Sequence, residues 1–161
     1  MEELATASRP TLDAYYMGIA LAEARRSLEL GEVPIGAVVV HAGEVVGAAG
    51  NRRELDANPA GHAEVLAMQA AARHLGRWRL SGCTVYVTLE PCLMCAGLMQ
   101  QARITRCVFG AHDQKAGALG SLYEIHMDTR LNHTFAVSSG ILADECAALL
   151  QRFFADRRDR R

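Results

Sequence analysis

Two short fragments of this sequence carry residue types that bind metals and move protons: His62-Ala63-Glu64 and Pro91-Cys92-Leu93-Met94-Cys95. Pro91 separates a strand-like run from a helix-like run. Cys92 is therefore expected at a helix start, with Cys95 one turn later on the same face. Both sulfurs can then reach one ion. The free N–H groups and positive dipole end of a helix start favour thiolate over thiol. His62 stands at a second expected helix start, just past Gly61. One imidazole and two thiolates form a zinc ligand set, and soft sulfur argues against magnesium or calcium. Three protein ligands leave the fourth tetrahedral position to water, the pattern of a catalytic zinc site.

Glu64 is the candidate to take a proton from that water. Two thiolates cancel the metal charge, so such a zinc acidifies water less than one held by three histidines. A neighbouring carboxylate makes up the difference. The spacing poses a geometric problem. Residues i and i+2 of a regular helix point about 200° apart. The reading therefore requires an irregular first turn, or His62 as the helix cap. Neither fragment is diagnostic alone, because His-x-Glu and Cys-x-x-Cys both recur by chance. Their order and their places at two helix starts carry the inference. A purely structural zinc would need a fourth protein ligand, for which Cys83 and His112 are available.

The elements that must hold these residues follow from periodicity and breakers. Helical spacing runs from Leu12 to Leu30, closed by Gly31. Pro34–Val40 and Glu44–Ala49 read as strands joined by the Ala42-Gly43 turn. Asn51–Gly61 reads as a loop, His62–Leu75 as a helix and Cys83–Leu89 as a strand. Cys92–Gln101 is helical, Ile104–Phe109 a strand, and 111–132 mostly loop with room for a short helix. Thr134–Val137 is a candidate last strand and Leu142–Arg157 a last helix. Strands alternating with helices imply an α/β layered fold with a partly parallel sheet.

The 161 residues suit one domain, 1–161, with 1–10 as a loose tail. A chain of this size buries about 70% of its unfolded surface and needs no disulfides. The formal net charge of -1 lacks the overall basic footprint of a nucleic-acid binder, so any such contact must be a local patch. No apolar run approaches the ~20 residues of a membrane span. The acidic start carries no signal-peptide pattern, and a cytoplasmic location is the expectation. In a reducing compartment the Cys92/Cys95 pair points to metal rather than to a disulfide. Cys83, Cys107 and Cys146 are expected as buried free thiols.

His-x-Glu followed by Pro-Cys-x-x-Cys resembles the zinc nucleobase and nucleoside deaminases. Longer segments resemble, more narrowly, the bacterial tRNA-specific adenosine deaminases of the cytidine/deoxycytidylate deaminase superfamily. They include Val33-Pro34-Ile35-Gly36-Ala37, Gly50-Asn51-Arg52, Val87 to Gly97, Gly117 to Leu122, Leu131-Asn132-His133 and Gly140 to Cys146. The resemblance implies a three-layer α/β/α, cytidine-deaminase-like fold with a central five-stranded mixed sheet. It implies a homodimer, one Zn²⁺ per subunit, and conversion of a wobble adenosine to inosine on a tRNA anticodon stem-loop. By residue it implies His62, Cys92 and Cys95 as metal ligands and Glu64 as proton shuttle. Asn51 resembles the residue that hydrogen-bonds the target nucleotide; by itself it also suits a turn. Arg53, Asp113, Lys115, Asn132, Phe154 and Arg158 stand where anticodon-loop contacts are expected. One of Phe153 and Phe154 must be core, and Arg157–Arg161 equally suits a solvated tail. Two rival functions share the same motif: a deaminase of a free base or nucleoside such as guanine or cytosine, and a non-catalytic zinc-stabilised RNA-binding module.

Overall fold

In the computed structural model, which describes Leu4 and residues 6–161, the centre is a run of small and β-branched residues. β1 (Gly36–His41) reads Gly-Ala-Val-Val-Val-His and is almost wholly buried. A strand apolar on consecutive positions needs cover on both faces. Ala37 and Val39 face one core and Val38 and Val40 the other. β2 (Glu44–Gly50) returns antiparallel to it. The joining residues Ala42 and Gly43 both have positive φ, as a type I′ turn requires. β3 (Cys83–Leu89) pairs antiparallel with β1 on its other side. β4 (Arg106–Ala111) and β5 (Ala136–Ser138) then extend the sheet in parallel, in the order β2-β1-β3-β4-β5.

Among the described residues, four helices cover the sheet. α1 (Arg9–Glu29) and α4 (Ala143–Asp159) lie on one face, where Met17, Ala20, Leu21 and Leu149 meet Val38, Tyr86 and Val108. α2 (Ala63–Leu75) and α3 (Leu93–Gln101) lie on the other, where Ala67, Met68, Ala96 and Met99 meet Val39, Val85, Val87 and Phe109. The result is the expected three-layer α/β/α arrangement with a five-stranded mixed sheet. Beneath α1, Asp13 accepts two hydrogen bonds from Arg106, at 2.8 and 2.7 Å, and one from the Tyr86 hydroxyl at 2.9 Å. This buried pair ties the first helix to β3 and β4. Among the described residues no helix is long and apolar enough to cross a membrane.

Several boundaries differ from expectation, each for a physical reason. Pro34, which lacks an N–H, stays outside β1. Pro10 does not end a tail: α1 starts at Arg9 and holds Pro10 in its first turn, where a missing N–H costs nothing. Residues 1–3 and 5 of the expected tail lie outside the described residues. β4 and β5 each start two residues later than periodicity implied. The long loop contains a short 3-10 turn, Ile125–Met127.

The helix that carries His62 and Glu64 sits unusually close to the sheet. α2 crosses β2 at Gly47, where an added β-carbon would strike the Ala67 carbonyl and lie 2.8 Å from the Ala71 nitrogen. Both contacts are backbone and cannot swing aside. Gly47→Ala is therefore expected to cost about 1–3 kcal/mol of stability. For a chain of this size that lowers the melting temperature by roughly 2–12 °C, measurable by calorimetry.

Candidate active site

Strand register brings four chain ends to one edge of the sheet. Gly36, the first residue of β1, pairs with Gly50, the last of β2. Leu89, the last of β3, pairs with Ala111, the last of β4. The chain leaving this edge after Leu89 enters α3 within four residues, and α2 starts beside it. Both helices thus aim their N-termini at the same place, with their positive dipole ends.

His62 caps α2 in extended conformation, φ -75° and ψ 146°. This resolves the spacing problem: His62 precedes the helix while Glu64 lies within its first turn, so both side chains reach one space. Cys92 caps α3 in the same way, φ -76° and ψ 177°. His62 Nδ1 lies 3.6 Å from Cys92 Sγ and 3.4 Å from Cys95 Sγ. The three ligand atoms all fall within 4.8 Å of one another, and no fourth His, Cys, Asp or Glu joins them among the described residues. Cys83 is at the far end of β3. His112 turns its Nδ1 to Glu90 Oε1, 3.3 Å away. The two candidates for a closing fourth ligand are therefore committed elsewhere.

Three proton-bearing groups packed this tightly must share protons unevenly. A hydrogen bond from the Cys95 thiol, aided by His62, pulls the Cys92 thiol down to about 4. The same bond and burial push Cys95 up. The bond to Cys92 raises His62. One soft divalent cation replacing those protons would satisfy all three groups at once. The donor set therefore fits zinc. Glu64 is 4% exposed, and burial holds its carboxyl above the ordinary range, a shift that strengthens it as a base.

Above the cluster lies a pocket of about 230 Å³, lined by Val33, Ile35, Asn51, Arg53, His62 and Glu64 with Leu89, Asp113 and Phe154. That is smaller than the sites of drug-sized ligands and suits a single flat base. It opens on a larger groove of about 750 Å³ that shares Val33, Leu89, Asp113 and Phe154 and adds Lys115, Arg157, Arg158 and Arg161.

The chain matches the MafB19-like deaminase family over residues 13–158. It is 46% identical over 151 residues to the tRNA-specific adenosine deaminase of Bacillus subtilis (strain 168), covering 94% of each chain. It is 43% identical over 152 residues to that of Haemophilus influenzae, covering 94% of this chain and 88% of the relative. The chain belongs to the tRNA-specific adenosine deaminase family. A solved structure from work on A-to-I editing by tRNA A34 deaminases superposes with a TM-score of 0.82 at 42% identity, covering 84% of this chain and 99% of the other. A guanine deaminase from Nitrosomonas europaea superposes with a TM-score of 0.75 at 26% identity, covering 88% and 84%.

Of the residues that the deaminase resemblance singled out, Asn51, Arg53, Asp113 and Phe154 line the pocket, and Lys115 and Arg158 line the groove. Asn51 is buried, its Oδ1 accepting from the Arg53 amide at 3.1 Å and its Nδ2 donating to the Val33 carbonyl at 3.4 Å. Asn132 lines neither cavity; its Oδ1 accepts from Gln100 Nε2 at 2.8 Å. Phe153 is the core member of its pair, and Phe154 is 47% exposed at the pocket mouth. Arg157 and Arg158 belong to α4 rather than to a tail, and the Arg157 guanidinium lies 4.5 Å from the Phe153 ring centre. Cys83, Cys107 and Cys146 are buried and free, as expected.

Sequence reasoning missed Glu90. Its side chain is fully buried, and its two oxygens collect the amides of Asp113, Leu119 and Ser121 at 3.0–3.2 Å together with the Ser121 hydroxyl. Glu90 thus shapes the 113–121 loop, which supplies Asp113 and Ala116 to the pocket wall. Gly117 is required beside it, because a β-carbon there would collide with the carboxyl. Burial pushes Glu90 up, but the hydrogen bonds from Ser121, Asp113 and Leu119 outweigh it and hold the carboxyl below its ordinary 4.5. The only sequence signal is an acidic residue following a β-prone run, which normally marks a surface. Glu90→Gln turns an amide N–H₂ toward donors and is expected to cost about 2–3 kcal/mol. The stabilisation of the ionised form is complete above pH 4.5 and is lost as pH falls through the depressed native value. The gap in melting temperature between wild type and Glu90→Gln should therefore be widest near neutrality and shrink below pH 4.5.

Proposed function

We propose that this chain is one zinc-dependent deaminase domain that converts a tRNA wobble adenosine to inosine, with His62, Cys92 and Cys95 holding the metal and Glu64 carrying protons. The observation that carries it is a base-sized pocket, floored by the cluster and Glu64, that continues into a groove bearing Lys115, Arg158 and Arg161. A zinc ion held there would supply Lewis acidity toward a water molecule. Glu64 takes a proton from the water whose oxygen adds to C6 of adenine. It returns that proton to N1 and then moves the remaining hydroxyl proton to the amino group, so that the tetrahedral carbon expels ammonia and keeps a carbonyl oxygen. Water and adenosine thus give inosine and ammonia. Asn51 offers its remaining amide hydrogen to the nucleotide. Arg53 and Phe154 hold its neighbours, and Lys115 and Arg158 take phosphates with Asp113 beside them. Asn132 is kept as a more distant RNA contact. A base in an anticodon loop enters such a pocket at less unstacking cost than one in a duplex.

The principal rival is a free-base enzyme such as a guanine deaminase, and similarity to the Nitrosomonas europaea fold gives it standing. A free base, however, leaves the cationic groove outside the pocket without a ligand. Incubation with a transcribed anticodon stem-loop should yield inosine. Ammonia released from guanine but not from the stem-loop would overturn the proposal.

A homodimer belongs to the same reading. Leu93 and Met94 of α3 are exposed, with Leu122, Tyr123, Met127 and Leu131 in the neighbouring loop. That much apolar surface on one side suits a second copy. Family membership and the free buried thiols support a cytoplasmic site of action.

Two results are expected. Glu64→Gln retains stoichiometric zinc by metal analysis and retains stem-loop binding, while inosine formation falls about 10²–10⁴-fold. Met94→Glu with Met127→Glu shifts the mass measured by light scattering from two chains to one.

A further inference from the structure

A basic surface lies at the other end of α2, about 20 Å from His62 along a 13-residue helix. Val65 to Leu89 holds Arg73, Arg77 and Arg79 and no carboxylate, in a chain whose formal net charge is -1. Arg73, His74, Arg77, Trp78 and Arg79 all reach the surface. None of the three arginines pairs with a carboxylate among the described residues. Arg73 and His74 fall in the last turn of α2, where a cation also suits the dipole. That role does not extend to Arg77, Trp78 and Arg79, which follow Gly76 outside the helix. Arg77 is fixed by donating to the carbonyls of Arg79 at 2.9 Å and Ser81 at 3.1 Å, and it borders the His41 ring. Trp78, the chain's only tryptophan, is 61% exposed, and the Arg79 guanidinium stacks 5.0 Å from its ring centre. An exposed indole with a stacked guanidinium, among unpaired cations, suits a polyanion that also carries aromatic faces. RNA has both.

We propose that this surface is a second RNA-binding site, which engages substrate tRNA outside the anticodon stem-loop. The proposal rests on the tRNA reading above. The Lys115–Arg158 groove opens from the pocket at the N-terminal end of α2, whereas this surface lies at the opposite end of that helix. The surface therefore meets parts of the RNA that an isolated stem-loop lacks. It also lets a chain without an overall basic charge hold a long polyanion.

The test compares two substrates of the full chain: a transcribed full-length tRNA and its anticodon stem-loop. Variants are Arg73→Glu with Arg79→Glu, and separately Trp78→Ala, none of which touches the pocket. The expected result is a KM for full-length tRNA raised about 5–10-fold, with kcat unchanged and both constants for the stem-loop unchanged. The salt dependence of tRNA affinity should also weaken, by about 0.7–0.9 in log–log slope for each phosphate that is no longer neutralised. Unchanged stem-loop kinetics report that the variants fold. If tRNA and stem-loop constants move together, or if neither moves, the second site is refuted; the latter result is also what an acidic protein partner would give. Failure of the wild type to make inosine on either RNA would instead overturn the parent reading.

Discussion

The site depends on two helices beginning at one edge of one sheet. Register does this: Gly36 pairs with Gly50, Ala37 with Val87, and Leu89 with Ala111. A slip by one residue would reverse the faces of every strand and bury the wrong side chains. Close packing at Gly36, Gly47 and Gly50 opposes that slip, because a β-carbon there would strike the Ala20 carbonyl, the Ala67 carbonyl and the Ser27 hydroxyl. With register set, the caps of α2 and α3 are neighbours, and His62 meets Cys92 and Cys95. A cap position also frees each side chain from helical periodicity, which is how residues two apart can serve one site.

Two buried glutamates near that edge show how environment divides similar groups. Glu64 is shielded from water, so burial raises its proton affinity and suits it to proton transfer. Glu90 is equally hidden but receives three amide hydrogen bonds and a hydroxyl, so it stays ionised and acts as a loop anchor. The two carboxyls are 26 residues apart in sequence and share one pocket lining. Desolvation pushes both the same way, and hydrogen-bond count decides the difference.

Charge, too, is set by local placement. The overall balance is slightly negative, yet cations gather where an extended polyanion would pass: at the mouth of the pocket and at the far end of α2. Net charge therefore describes solubility here and says little about partners. Phe154 and Trp78 give each basic area an exposed aromatic face, while Phe153, one residue away from Phe154, is buried in the core.

The layered α/β architecture was legible in the residues because each element has its own period and its own breakers. The Val-rich β1, the Pro91 break and the α2 pattern lie within short windows. The ligand types were legible too, because nitrogen and sulfur donors at helix starts carry their chemistry with them. Boundaries were less so: Pro10 punctuates a helix start as readily as a tail, and only the packing of α1 on the sheet distinguishes them. The sequence by itself determined the elements and the nitrogen, sulfur and carboxylate groups at two helix starts, all of which are local properties. Tertiary structure alone decided that His62 is a cap, that Glu90 is an anchor, that Asn132 faces Gln100 rather than the pocket, and that Trp78 stays exposed among arginines. Each of those depends on which distant backbone groups arrive beside a side chain, and no local spacing encodes that arrival.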